Sequence, residues 1–474
     1  MNIRVNIRVV IKTVLLMFIF LFILSGCNSS HYASNTIDSS EEKTVDSTGT
    51  ISENDWMLPG EGWIIKLYAN STYKTILESI EERFLQKYPG ASLQIVDLSN
   101  LSDNDYRTRL ATDLAAGNGP DVILTDAIDM TNLTRLISNG ALSDLNQINK
   151  DFGDVNWSDY HEAVCSMGII EEKRYFVPLS YSIGLLLSSE ERLNDAGIRY
   201  EDTDLETFCD DINRYLIANP DKIAFEQYWE AVDFLERFDA YTQDASRSVY
   251  DCWKKLFPGI FGGVEAVKHY NIYYRLGQYD NSIWNVFAAG DILFLNTPIN
   301  RGTIYETLYG NNSRYNSILS LGEKPVFMTV PTLDNAPTRA TISCLAAVPT
   351  AASNKAASMA VMEYLLSMDG QYYVARSLGI PVSHEFTEHM LNIYRADGWD
   401  NNIEYYLPAF IKFDANVLEW YEKTLQNVQP TSLVDGNMKS IWSSALRPYV
   451  QSKTDDFATC YNEAISKMKI YENE

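Results

Sequence analysis

The chain has 474 residues, enough for two or three compact units at roughly 100–200 residues each. Hydrophobic residues make up 46% and charged residues 21%, a globular balance that excludes wholesale disorder. Lys plus Arg number 38 against 63 Asp plus Glu, for a formal net charge of -25. Such a chain repels phosphate backbones and, unless anchored, an anionic bilayer. It is compatible with handling neutral or cationic small molecules.

Arg4, Arg8 and Lys12 form a basic start, followed by the uncharged apolar run Val14–Leu24. The run is too short to span a bilayer comfortably and reads as a secretory signal peptide, residues 1–26. It ends in Leu24-Ser25-Gly26-Cys27, which resembles the bacterial lipobox. That resemblance implies that Cys27 becomes the lipidated (palmitate-bearing) first residue of the mature chain, anchored on the extracytoplasmic face of the cell membrane. Residues 28–55 are rich in Ser, Thr, Asn, Asp and Glu. They have little apolar surface to offset the entropy of ordering, so a flexible tether over 27–60 is expected. The other five cysteines, Cys165, Cys209, Cys252, Cys344 and Cys460, form no Cys-x-x-Cys pair and read as isolated buried thiols.

The body begins near Trp56. Trp63–Ala69 reads as a strand, and Thr75–Tyr88 carries Ile76, Leu77, Ile80, Phe84 and Leu85 at helical spacing before Pro89-Gly90 stops it. Ser92–Leu98 is a second strand. Asp103 caps a helix with Tyr106, Leu110 and Leu114 on one face, closed by Gly117, and Val122–Leu124 is a short third strand. Alternation of strand and helix predicts an α/β fold with a mainly parallel sheet. Ligands of such sheets sit beyond the carboxyl ends of the strands, which puts Asn70–Tyr73 and Thr125–Asp126 on the candidate rim.

Four segments together resemble one family. Phe84–Pro89 followed by Ser92–Val96 resembles its F-x-x-x-Y-P-G helix end and second strand. Leu110–Leu124 resembles its small-small-G-x-x-P-D-V element. Arg174–Gly197 and Phe287–Pro298 resemble two later segments, and Val330-Pro331, Ala346–Pro349, Ala356–Leu366, Gln371 and Gly379-Ile380-Pro381 follow in the family's order. The family is the extracellular solute-binding proteins of ABC importers, in the group that includes maltose-binding and other carbohydrate-binding proteins. The resemblance implies a two-lobed, type II periplasmic-binding-protein-like fold with the ligand between the lobes. It places lobe 1 at 61–180 plus 331–378 and lobe 2 at 181–330 plus 379–474. Hinge crossings are expected near Leu179–Gly184, Thr329–Thr332 and Ser377–Ser383.

A sugar needs polar groups for its hydroxyls and aromatics for its ring faces. Asn70, Ser71 and Tyr73 serve either as ligand contacts or as an ordinary capped turn. Asp126, after the third strand, is a hydrogen-bond acceptor for the ligand or a helix cap. Tyr181 and Ser182 lie at the first crossing, and Asn296 and Arg301 follow a strand where relatives place a ligand-facing loop. Trp442 resembles a late sugar-stacking aromatic or packs a C-terminal helix. Trp229 is a weaker candidate. Thr125 and Ile299 stand where glucan-specialised relatives carry aromatics, which implies a smaller or more polar cleft.

None of the named catalytic motifs occurs, although 63 acids leave a glycosidase's pair of opposed carboxylates open. His384 and His389 are five apart, whereas the zinc-protease motif needs four on one helical face, and the segment reads as a loop past Gly379-Ile380-Pro381. No Gly-x-x-x-x-Gly-Lys, Gly-x-Ser-x-Gly or Gly-x-Gly-x-x-Gly occurs. Asp151–Asp159 does not fit calcium-loop spacing. No cofactor or metal is expected. The expected role is a monomeric, non-enzymatic solute receptor serving an ABC permease. A lipoprotein hydrolase of surface polysaccharide and a sensory or scaffold lipoprotein are the alternatives, and a cationic or peptide ligand stays open.

Overall fold

The computed structural model describes residues 59–473, except 126–132, 202, 227–228, 262–263, 273–275, 277–281, 297–313, 334–336, 396–414 and 432–435. The signal segment, Cys27 and most of the tether therefore lie outside the described residues. The chain divides into Met1–Trp56 and a compact unit, Met57–Glu474. Within that unit thirteen short strands are described: β1 (Ile64–Ala69), β2 (Ser92–Asp97), β3 (Ile123–Thr125), β4 (Ile169–Ile170), β5 (Lys173–Arg174), β6 (Val177–Ile183), β7 (Leu185–Ser189), β8 (Ile223–Phe225), β9 (Ile292–Asn296), β10 (Pro325–Thr329), β11 (Thr338–Ala347), β12 (Ile380–Pro381) and β13 (Val428–Pro430).

The first half follows from the alternation in the sequence. β1 and β2 pair in parallel, Ile64 opposite Ser92, across the helix Lys74–Lys87. That helix buries Ile76, Leu77, Ile80 and Phe84 on one face, the helical spacing expected of a core-facing stripe. A parallel bridge, Leu67 to Val122, brings β3 alongside β1. Asp121 fixes this junction. One carboxylate oxygen accepts from the Lys66 amide at 2.7 Å, and the other accepts from the Ser353 amide and hydroxyl at 2.8 and 2.9 Å. β11 then pairs antiparallel with both β3 and β6, while β12 and β13 extend the sheet.

The second half is the sheet β10-β7-β9-β8. β8 and β9 run parallel to each other and antiparallel to β7, as does β10. β7 and β8 are buried at every residue, the pattern of strands covered on both faces. The helix Glu190–Ala196 is capped by Ser189, whose Oγ accepts from the Arg192 amide, and it ends at Gly197 in the left-handed region.

Two cores result. The first gathers Ile65, Leu67, Phe84, Leu124, Leu179, Met359 and Leu365. The second gathers Phe208, Phe225, Phe234, Trp253, Phe294 and Leu446. The chain passes between the sheets at Gly184, from β6 to β7, and again between β10 and β11. The described residues of 379–395 and 415–431 depart from the expected division. β12 pairs with β6 (Ile380 opposite Tyr181), and Leu391, Leu418, Tyr421, Leu425 and Val428 pack in the first core. Only from the helix Gly436–Val450 onward does the chain join the second core, through Trp442, Leu446, Tyr449 and Met468. The approach of β12 to β6 needs Gly379. Its φ is +130°, and a Cβ there would sit 2.7 Å from the Tyr181 carbonyl oxygen.

Candidate functional site

Strand direction defines a rim. β1, β3 and β6 point their carboxyl ends the same way, as their parallel and antiparallel pairings require. β6 leads from that rim directly into the second sheet, where β8, β9 and β10 share a direction opposite to β7. The carboxyl ends of both sets therefore meet at the passage between the sheets, where an open α/β sheet binds its ligands.

On the first sheet, Asn70 follows β1 and is buried. Its Oδ1 accepts from the Thr72 and Tyr73 amides, both at 3.0 Å, and its carbonyl accepts from the Lys74 amide. The side chain is thus occupied in starting the helix, while Ser71 and Thr72 are exposed. Tyr73 is buried in the first core. Asp126 lies outside the described residues.

β6 offers two successive residues of opposite character, because strand neighbours face opposite ways. Tyr181 is buried, with its ring edge-on to His161 at 5.5 Å. Burial holds its hydroxyl well above the ordinary tyrosine range. Ser182 is half-buried, and no side-chain partner is recorded for it among the described residues. Beneath them the Ser180 hydroxyl donates to the Leu378 carbonyl at 2.9 Å.

On the second sheet the strand ends carry a group that inspection of the sequence overlooked. Glu226 follows β8, its amide donates to the Phe294 carbonyl at 3.0 Å, and it is buried. Its carboxylate is gripped by both terminal nitrogens of the Arg314 guanidinium, one at 2.8 Å. Such a two-pronged pair fixes the position and orientation of the carboxylate. Trp229, half-buried, packs its ring on Phe225 at 4.6 Å. A signal did exist for the acid: Ile223–Phe225 is an apolar run ending in Glu226, at the ligand end of a strand. None marked Arg314, which lies 88 residues away in sequence. Asn296 ends β9, opposite Leu186, and its side chain and Arg301 lie outside the description.

Three aromatic candidates are core residues. Tyr73 and Tyr181 belong to the first core. Trp442 is 3% exposed in the second, with ring contacts to Tyr241 at 5.6 Å and Tyr461 at 5.7 Å. None presents a ring face to solvent, because the apolar surface that makes them attractive sugar platforms is the surface that folding buries. The histidine segment also differs from expectation: His384–Arg395 is a helix rather than a loop. His384 stacks on His161 with centroids 6.1 Å apart. Among the described residues no group of three or more His, Cys, Asp or Glu is placed to hold a metal ion. All five described cysteines are buried free thiols.

Two α/β halves, joined by crossing strands and lined with polar strand ends where they meet, are the architecture of a two-lobed binding protein. The chain belongs to the bacterial extracellular solute-binding proteins, whose family model matches residues 82–390, more than half its length. No curated protein matches it by sequence. Solved structures share the fold at low identity. The sugar-binding protein MalE from Xanthomonas citri is 14% identical with a TM-score of 0.60, covering 87% of this chain and 100% of its own. An ABC substrate-binding protein from Listeria monocytogenes in complex with cycloalternan is 15% identical with a TM-score of 0.54, over 86% and 98%. UgpB from Mycobacterium tuberculosis in complex with glycerophosphocholine is 14% identical with a TM-score of 0.55, over 87% and 98%. Among the described residues no helix is long and apolar enough to cross a membrane.

Proposed function

We propose that this chain is a lipid-anchored receptor that captures a sugar or similar polar solute and delivers it to an ABC import permease. Family membership and the rim of polar strand ends between the two sheets carry this reading. The lipobox-like Leu24–Cys27 supplies the anchor at Cys27. Ser71 and Ser182 offer exposed or half-exposed hydroxyls, and Glu226 with Arg314 offers a fixed charged pair. Asp126, Asn296 and Arg301 complete the set from the sequence. The solute would touch both halves only when they close on it, so binding and closure are one equilibrium.

The test is thermal unfolding of the body, without residues 1–27, against mono- and oligosaccharides, amino acids, short peptides and polyamines. A ligand at a hundred times its dissociation constant stabilises the native state by about 2.7 kcal/mol. A clear upward shift with saccharides alone supports the sugar reading. A shift confined to peptides or polyamines replaces the solute class, and no shift with any class counts against the receptor role.

A further inference from the structure

A cavity of about 640 Å³ shares no lining residue with the polar set just described, and its Thr329–Thr332 end borders the passage from β10 to β11. Its floor is β10: every residue from Lys324 to Thr329 lines it. One wall is Tyr200 and Glu201, and the other is Val417, Trp420 and Lys423 on the helix Ala415–Gln426.

β10 is an edge strand, paired only with β7 among the described residues. Antiparallel partners alternate between exchanging hydrogen bonds and turning them away. The Glu190 amide donates to the Lys324 carbonyl at 2.9 Å, and the register runs unbroken from Pro325 opposite Ser189 to Thr329 opposite Leu185. Lys324, Val326 and Met328 therefore face β7, and Pro325, Phe327 and Thr329 turn their backbone groups outward. Pro325 has no N–H to offer. The Phe327 and Thr329 amides, with the three carbonyls, form a ladder unfilled among the described residues, about 6.8 Å in repeat, twice the rise of a strand residue. The Phe327 ring does not cover it. It is held to the side in a stack, 5.6 Å from Tyr315 and 5.9 Å from Trp420.

We infer that this groove is a docking site for an extended peptide segment that adds to β10 as a further strand. An open edge normally invites a second sheet, and proteins blunt it with charge, proline or cover. Here Pro325 blunts one end only, and the edge is recessed between two walls. A second copy of β10 would have to bring its own walls into the same space, so edge-to-edge pairing of two copies does not fit. A single extended chain does. Its backbone supplies the matching donors and acceptors, and alternate side chains meet the walls. The segment would carry an apolar side chain where it passes Val417 and Trp420, with room for a basic residue near Glu201 and an acidic one near Lys423. The Lys324 ammonium is already paired with Glu190 at 2.6 Å, so charge alone does not define the site.

The experiment uses the mature chain and a panel of acetylated, amidated hexapeptides with alternating apolar and polar residues, read by fluorescence anisotropy. The expected result is saturable binding that saccharides at the main site do not displace. Backbone N-methylation on the peptide's alternate amides facing β10 should weaken it about tenfold or more, the loss of one or two hydrogen bonds, while methylation of the other set leaves it intact. Bound peptide should slow hydrogen exchange at Phe327 and Thr329, and Trp420→Ala should weaken binding with the melting temperature as folding control. No binding by any peptide at about 1 mM, the weak end of the affinity scale, overturns the proposal. So does equal tolerance of both methylation patterns, a result that involves no protein variant.

Discussion

The two cores are built from different side chains. Among the described buried residues, the first core holds one phenylalanine, Phe84, and no tryptophan, and is otherwise aliphatic with a few tyrosines. The second holds seven phenylalanines and two tryptophans. Phe225 stands at its centre, 5.6 Å from Phe294 and 4.6 Å from Trp229, and Trp253 and Phe257 continue the cluster. The concentration of buried phenylalanine and tryptophan is therefore a property of the second core's packing. It carries little information about a ring-stacking ligand, and it explains why Trp442 is a core residue.

The sharpest way to break that comparison is Trp442→Ala. If Trp442 is core, the substitution removes a large buried ring and leaves a cavity, at a cost of about 3–5 kcal/mol. Urea unfolding should show this loss, while solute affinity of the remaining folded protein stays within about twofold, less than 0.5 kcal/mol. Unchanged stability with lost affinity would return Trp442 to the cleft.

A second contrast concerns charge. In the second half Asp211 sits with its side chain 1% exposed and takes hydrogen bonds from Arg199 at 2.8 and 2.9 Å and from Arg214 at 2.8 Å. Hydrogen bonding from Arg199, chiefly, lowers its carboxyl to about 2. A carboxyl lowered by folding contributes stability above its unfolded value near 3.9, lost as pH falls toward the folded one. Asp211→Asn should cost about 1.5–3 kcal/mol at neutral pH, the range for hydrogen bonds to a charged group. It should also flatten the decline in urea midpoint between about pH 4 and pH 2. An unaltered acid limb would show that other carboxylates dominate it.

The first half has its own acid-sensitive group at higher pH. His161 is lowered by desolvation first, and the neighbouring His384 adds to the effect. Folding therefore favours neutral His161. That stability is present above the unfolded histidine value near 6.5 and is lost as pH falls below it. A shallow drop in melting temperature from about pH 7 to pH 5, removed by His161→Asn, is the expected outcome. A variant that keeps the drop would assign it elsewhere.

What could be read from the sequence follows the same divide. The α/β alternation, the helix over Ile76–Phe84 and the ordered family motifs were legible because hydrophobic period and turn residues are local signals. Element ends shifted by a residue, as β3 did, because fraying and pairing set them. The site was less legible. Asn70 and Tyr73 lie in the turn read as the candidate rim, but burial and capping, both tertiary or backbone facts, occupy their side chains. Glu226 could be reached from its strand, whereas its pairing with Arg314 is a long-range contact that no local pattern encodes. The membership of the described residues in 379–395 and 415–431 was not legible because β12 is only two residues long and is held to β6 through Gly379.

The smallest effect on stability should come from Ser182→Ala, and for that reason it bears most directly on the site. Ser182 is half-buried, the penultimate residue of β6 before the passage to β7, with its backbone paired to Thr341. Alanine keeps that backbone and removes only a hydroxyl with no recorded partner, so the melting temperature should move by no more than about 0.5 kcal/mol in equivalent stability. Ser180→Ala is the internal control two residues earlier. Its hydroxyl is spent on Leu378, so it should cost about 1 kcal/mol of stability and leave affinity nearly unchanged. If Ser182 meets the solute, affinity should fall several-fold in Ser182→Ala alone, since a lost hydrogen bond is worth about 0.5–1.5 kcal/mol. Equal affinities in both variants would move the contact surface away from β6, toward Ser71 on one side and Glu226 with Arg314 on the other.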